Sequence, residues 1–181
     1  MADVIEVVSY TADWPQRFAE LGRMLRSALG EVAVRIDHIG STAVPGLASK
    51  PVIDVQISVL EFEPLAAFSG PLEQLGFVFR RENPERTKRY FREPPGHART
   101  HIHVRRSGSW AEQFALLFRD YLRVHAEEAR GFAAMKRQLA ERYGSDRIGY
   151  TNAKAPAIWD IMIKADRWSQ EVGWVPGPSD A

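Results

Sequence analysis

Apolar and polar positions follow two rhythms along this chain, and the change of rhythm divides it. Over residues 13–29 the spacing is helical: Trp14, Phe18, Leu21, Leu25 and Leu29 recur every three or four positions. Asp13 stands where it could cap this helix, Pro15 suits its first turn, and Gly30 can end it. Residues 32–39 read as a short strand and residues 51–60 as a longer one. In the longer strand Val52, Asp54, Gln56 and Ser58 share one face, and Ile53, Val55, Ile57 and Val59 share the other. Residues 64–75 read as a second helix, stopped by Gly76. Residues 77–80 and 88–92 read as an antiparallel pair around a polar loop, and residues 100–106 as a third strand-like segment.

Beyond that point the rhythm is helical again. One stripe is Trp110, Phe114, Leu117, Phe118 and Tyr121, another is Phe132, Met135, Leu139 and Tyr143, and a third is Ile158, Ile161, Ala165 and Trp168. The first stripe, Trp110 included, is expected in the core. Gly173, Pro176, Gly177 and Pro178 predict an irregular, mobile segment over residues 173–181. The expectation is a single α+β domain over residues 1–172. Its mixed sheet with flanking helices spans about residues 1–107, and its helical part spans residues 108–172.

Composition narrows the function classes. Lys and Arg total 24 against 23 for Asp and Glu, and the formal net charge of +1 argues against a dominant nucleic-acid or membrane binder. There is no cysteine, which excludes disulfides, cysteine nucleophiles and thiolate metal sites. The first ten residues carry acids where a secretion signal would carry bases, and no apolar run is long enough to span a membrane. A cytoplasmic protein, monomeric or homodimeric, is expected.

The candidate chemistry lies between the first two strands. Ile36-Asp37-His38-Ile39-Gly40-Ser41-Thr42-Ala43-Val44-Pro45-Gly46-Leu47 runs into Lys50-Pro51-Val52-Ile53-Asp54-Val55. This segment resembles the signature of the GrpB family, a branch of the nucleotidyltransferase-like fold. Trp14 with Phe18, His101-Ile102-His103-Val104, Arg119-Asp120-Tyr121-Leu122, and Tyr150 with Lys154 support the resemblance over nearly the whole chain. It implies a pocket in which Gly40, Ser41 and Thr42 hold a phosphate, and Asp54 carries a Mg²⁺ or Mn²⁺ ion and the catalytic role. Physically, a glycine lets backbone approach a phosphate, a serine hydroxyl and nearby N–H groups donate to it, and a carboxylate brings the cation. Lys50, Arg92 and Lys154 are further candidates for phosphate contact, with Lys136 and Arg137 also on the later helices. Lys88, Arg89, Arg99 and Arg105 add to the basic character of the middle of the chain.

The pattern departs from that superfamily two residues after Asp54, where Gln56 replaces an acid. The later strand offers His101 and His103 instead of a third carboxylate. With Asp54 they would form a two-histidine, one-carboxylate set, which suits a transition metal better than Mg²⁺. His38 and Gln56 are expected to line the pocket with His101 and His103; for His38 the other reading is a buried, hydrogen-bonded structural histidine that orients the Gly40 loop. The expected ligand is a small acidic or phosphorylated molecule such as a nucleotide. Transfer of a nucleotidyl or phosphoryl group, ATP-dependent ligation, and non-catalytic binding by a module that lost its second carboxylate all fit these residues.

Overall fold

The computed structural model describes residues 4–181. Helix α1 (Asp13–Leu29) forms over the predicted span and buries Trp14, Phe18, Leu25 and Leu29 on one side. Ala12, not Asp13, is its cap residue. Asp13 is already in the first turn, and its N–H donates to Thr11 Oγ1 at 3.3 Å. Gly30 ends the helix with φ at 50°, a backbone shape that glycine adopts without strain. The chain then makes a short 3-10 turn at Gly30–Val32, so strand β1 is shorter than the spacing suggests, Arg35–Ile39.

Strand β2 (Ile53–Val59) follows the Gly40 loop, and helix α2 (Ala66–Gln74) follows β2. Strands β3 (Val78–Phe79) and β4 (Arg89–Arg92) form the expected antiparallel pair, and β5 (Thr100–Arg106) matches its predicted span. The sheet order is β1-β2-β5-β4-β3, with β2 and β5 parallel and the other pairs antiparallel. Helices α3 (Trp110–Val124), α4 (Ala126–Tyr143) and α5 (Arg147–Val172) complete the fold. This is a mixed α+β architecture, and no helix among the described residues is long and apolar enough to cross a membrane.

The two faces of the sheet serve two cores. Val55, Ile57, Ile102, Val104 and Phe91 face α1 and α2 and pack with Trp14, Phe18, Phe68 and Leu72. A second cluster joins Leu117, Tyr121, Phe132, Ile161 and Ala165 of α3–α5 to Val44 and Leu47 of the Gly40 loop. Trp110 is a correction. It is 68% exposed at the first position of α3, where its ring meets Phe114 edge-on at 5.7 Å. The helix begins before the packed face does, so periodicity alone overextends the core.

Residues 173–181 carry no helix or strand after the helix end, as their Gly and Pro content implies, but they do not hang free. Ile36 N–H donates to Ser179 Oγ (2.9 Å), His38 N–H to Asp180 Oδ2 (2.9 Å), and Ala181 N–H to Ile36 O (3.1 Å). The segment thus satisfies backbone groups on the outer edge of β1, which would otherwise face solvent unpaired.

Candidate functional site

Strand register assembles the site. Asp54 lies opposite His101 and Gln56 opposite His103 in the parallel β2–β5 pair, and Tyr90 of β4 lies opposite His103. All project from the sheet face that looks toward α3–α5. His101 Nδ1 and His103 Nε2 each sit 3.2 Å from the same oxygen, Asp54 Oδ1. Burial opposes ionisation of Asp54, but the two imidazoles outweigh it and hold the carboxyl below its ordinary range. Burial, with Lys88 and Arg105 nearby, pushes His103 down to about 4 in spite of Asp54, so its ring is neutral at neutral pH. A neutral imidazole is the form that binds metals.

One donor atom from each of Asp54, His101 and His103 lies within 4.8 Å of the others. Donors about 2.0–2.1 Å from a common ion stand roughly 3 Å apart, so the two 3.2 Å separations suit a small divalent cation. The far ring nitrogens, His101 Nε2 and His103 Nδ1, are buried without a hydrogen-bond partner, so Asp54 is the polar group that orients both rings.

The Gly40 loop closes over this cluster. Gly40 has φ at 71°, and a Cβ there would come within 2.8 Å of Asp54 Oδ2, so glycine is required twice over, by backbone shape and by the approach of the carboxylate. Ser41 follows and accepts a hydrogen bond from Lys136 Nζ at 2.9 Å. A cavity of about 460 Å³ opens here between the sheet and the later helices. Gly40, Ser41, Lys50, Asp54, His101, His103 and Lys154 all border it, and Lys88, Lys136, Tyr90 and Tyr150 join them.

Its electrostatics are those of crowded cations. Lys136 is 2% exposed; burial, then Lys154, Arg137 and Lys50, push its ammonium down to about 7. Burial and the neighbouring Lys154 and Arg99 push Lys50 down to about 8. Lys154 is lowered by burial, with Asp54 pulling the other way. Lys50 and Lys154 stand over the Tyr150 ring at 5.0 and 5.3 Å from its centre. Lys88 is held by Glu85 at 2.7 Å.

Four sequence expectations need correction. His38 pairs with Val55 in the β1–β2 register, so it projects from the opposite sheet face, stacked on Phe18 at 4.7 Å. Burial pushes it to about 4. Thr42 is 1% exposed and its hydroxyl donates to Val52 O at 3.0 Å, which leaves His38 Nε2–H to donate to Thr42 Oγ1 at 3.0 Å. The two residues brace the loop from inside. Gln56 is on the expected face but sealed beneath α3: its Oε1 accepts from Arg105 (2.9 Å) and its Nε2 donates to Glu112 O (3.3 Å). Arg92 shares the face of Tyr90 but turns to Glu93, with contacts of 2.7 and 2.9 Å, and does not border the cavity.

Lys136 is the main residue that sequence reasoning failed to assign. It follows Phe132 by four positions, inside the stripe Ala129, Phe132, Ala133 and Ala140 that α4 buries, and a lysine on an apolar face was the available signal. Tyr90 was legible by alternation from Arg92, since the two share one face of β4.

Comparison with known proteins follows the same lines. The family model for GrpB protein matches residues 4–164. The UPF0157 protein PA4798 of Pseudomonas aeruginosa is 42% identical over 167 residues, covering 90% of this chain and 68% of that protein. A dephospho-CoA kinase of Mycolicibacterium paratuberculosis is 30% identical over 197 residues, and the match covers 95% of this chain but 48% of that protein, about half its length. The crystal structure of conserved protein GrpB from Enterococcus faecalis superimposes with a TM-score of 0.80 at 32% identity, over 90% of this chain and 99% of that one. The Cid1 poly(U) polymerase with bound MgGTP gives a TM-score of 0.55 at 17% identity over 75% of this chain and 45% of that one, a likeness of fold.

Proposed function

The chain belongs to the GrpB family and has a nucleotidyltransferase-like fold, and on that premise we propose that it binds a phosphorylated or otherwise strongly acidic small molecule, of the nucleotide type, together with one divalent cation. The observation that carries this reading is the concentration of Lys50, Lys136 and Lys154 around one cavity that Gly40 and Ser41 also border, with Lys136 bonded to Ser41. Crowding two half-buried ammonium groups beside the buried one of Lys136 is unfavourable unless an anion joins them. Burial first, and then the charge of Lys154, pushes down both Lys50 and Lys136, as crowded ammonium groups require.

In this reading Ser41 and Lys136 hold one phosphate, and Lys50 and Lys154 neutralise a second charge. Phe118 and Ile158 supply an apolar wall for the rest of the ligand. Asp54, His101 and His103 would hold the cation, for which a transition metal is the better match in donor type. Such an ion supplies Lewis-acid polarisation of a phosphoryl oxygen. Group transfer is the finer form of the proposal. The sealed position of Gln56 favours a one-ion site, so the lysines would have to stabilise the leaving charge that a second ion otherwise takes. A purely binding role draws on the same feature.

Calorimetry with inorganic phosphate, pyrophosphate and ATP tests the proposal on wild type, Ser41→Ala and Lys136→Met. A hydrogen bond to a charged group contributes roughly 1.5–3 kcal/mol, so each variant should lose about tenfold or more in affinity. Mn²⁺ or Zn²⁺ should raise the melting temperature of wild type and not that of Asp54→Asn. If none of the three anions binds, with or without the cations, the reading is wrong.

A further inference from the structure

A second basic hollow adjoins the cavity. It has a volume of about 230 Å³ and lies against the loop between β3 and β4. Asn83, Lys88 and Tyr90 belong to the walls of both spaces, so one partition of three side chains separates them. Beyond that partition the hollow is bordered by Arg80, Arg81, Arg86 and Arg89.

The charge balance there is one-sided. Glu85 is the acid in the wall, and it is already engaged: Lys88 Nζ lies 2.7 Å from one carboxylate oxygen and Thr87 Oγ1 donates to the other at 2.7 Å. Arg105 stands 3.9 Å away as well, and these neighbours hold the Glu85 carboxyl below its ordinary range although burial opposes that. No carboxylate among the described residues forms an ion pair with Arg80, Arg81, Arg86 or Arg89. Two of the four are held in place by rings: Arg81 lies over Phe79 at 4.9 Å and Arg89 over Phe62 at 4.2 Å. Stacking restrains a guanidinium while leaving edge N–H groups to grip phosphate or carboxylate. Arg89 spends Nη1 on Arg86 O and Lys88 O, both at 3.4 Å, and its other nitrogens face no carboxylate among the described residues.

We propose that this hollow is a second anion subsite, and that the natural ligand is an elongated polyanion whose one end occupies the cavity and whose other end reaches past Lys88 and Tyr90 to the arginines. This extends the reading of the cavity as a phosphate site and rests on it. It also says something that reading does not: the ligand carries at least two anionic groups set well apart.

A size series of linear polyphosphates, from pyrophosphate upward, tests it at constant ionic strength, with EDTA present so that chelation of a cation plays no part. In wild type, affinity per chain should rise by about tenfold or more once the chain is long enough to span both subsites. In Arg81→Glu/Arg86→Glu that rise should vanish while pyrophosphate affinity stays within about twofold, since the cavity is intact. Arg23→Glu/Arg167→Glu changes the net charge equally with exposed arginines of α1 and α5, and it should keep the rise. Lys136→Met should weaken every chain length together. The subsite is refuted if wild type shows no dependence on length, or if both double variants flatten it alike, which is general charge attraction. If no chain length binds under these conditions the extension falls, and the cavity reading falls with it only if phosphate, pyrophosphate and ATP also fail to bind with Mn²⁺ or Zn²⁺ present.

Discussion

At the scale of single residues the most informative side chain is Lys136. A buried lysine with its ammonium pushed down to about 7 is poised to change charge when an anion arrives. The sign follows from linkage. Free protein at pH 8 carries Lys136 mostly neutral, and an anion beside it restores its affinity for a proton, so binding takes up protons. Sulfate is a suitable probe because it does not titrate in this range. Calorimetry in buffers of different ionisation enthalpy should show wild type taking up more protons per sulfate than Lys136→Met, by close to about one at pH 8. The difference should disappear by about pH 6, where Lys136 is already charged in the free protein. Stability carries the matching sign. The depressed pKa costs most below about 7 and is relieved as pH rises, so wild type should gain on Lys136→Met between pH 7 and 9 by at most about 1.4 kcal/mol per unit. Equal proton uptake by the two proteins at pH 8 would mean that Lys136 does not touch the anion.

At the scale of elements, the parallel pairing of β2 with β5 makes the site. It was legible as far as alternation reaches: Asp54 and Gln56 share a face, as do His101 and His103, and each strand's parity could be read from its apolar partners. What could not be read is which of those positions remains open. Asp54 and Gln56 differ by one step along β2, yet the first borders a cavity and the second lies under the start of α3. The placement of α3 depends on Ser109 capping it, through a hydrogen bond from Glu112 N–H at 3.3 Å, and on how the helices pack, which is information spread over the later chain. For His38 the structure decides for the buried, hydrogen-bonded reading over the pocket-lining one: its parity in β1 puts it beside Val55, and a short strand before a loop gave too few alternations to fix the face beforehand. These facts set the outcome for Gln56→Asp. The shorter carboxylate would meet Arg105, not a cation, and Glu112 O would lose its donor. The variant should be less stable by roughly 1–3 kcal/mol, and Mn²⁺ should stabilise it no more than it stabilises wild type. Denaturation curves with and without Mn²⁺ decide this. A larger Mn²⁺ effect in the variant would instead identify Gln56 as the vacated position of a second metal ligand.

At the scale of the whole molecule, two cores meet along a seam, the sheet with α1 and α2 on one side and α3–α5 on the other. The cavity occupies one stretch of that seam, and Arg119 of α3 fastens another. Its guanidinium is 2% exposed and donates to Asp120 (2.7 Å), Asp180 (2.8 Å) and His38 O (3.1 Å), with Asp37 at 3.8 Å. Asp37 is itself sealed and takes two hydrogen bonds from Arg35, at 2.8 and 3.0 Å. Through Arg119, α3 is thus tied to β1 and to the segment at residues 173–181, although sequence patterning predicted that segment to be loose. Composition reports that a stretch cannot form a helix or strand. It does not report whether a neighbouring strand edge has unpaired N–H groups to offer, and β1 has two, on Ile36 and His38. Removing Arg119 takes a charged donor from three carboxylates, although Asp37 keeps Arg35, Asp120 keeps Arg123 and Asp180 keeps the His38 N–H, so Arg119→Met should cost roughly 1.5–3 kcal/mol. Asp180→Asn keeps the shape and an acceptor but loses the charge, and should cost roughly 1–2 kcal/mol. Because the two groups share one contact, the double variant should be less destabilised than the sum, with a coupling of roughly 1–3 kcal/mol. Guanidinium denaturation of the four proteins measures the cycle. Additive costs would mean that Asp180 holds only the backbone N–H of His38, and that Arg119 secures the seam through Asp37 and Asp120.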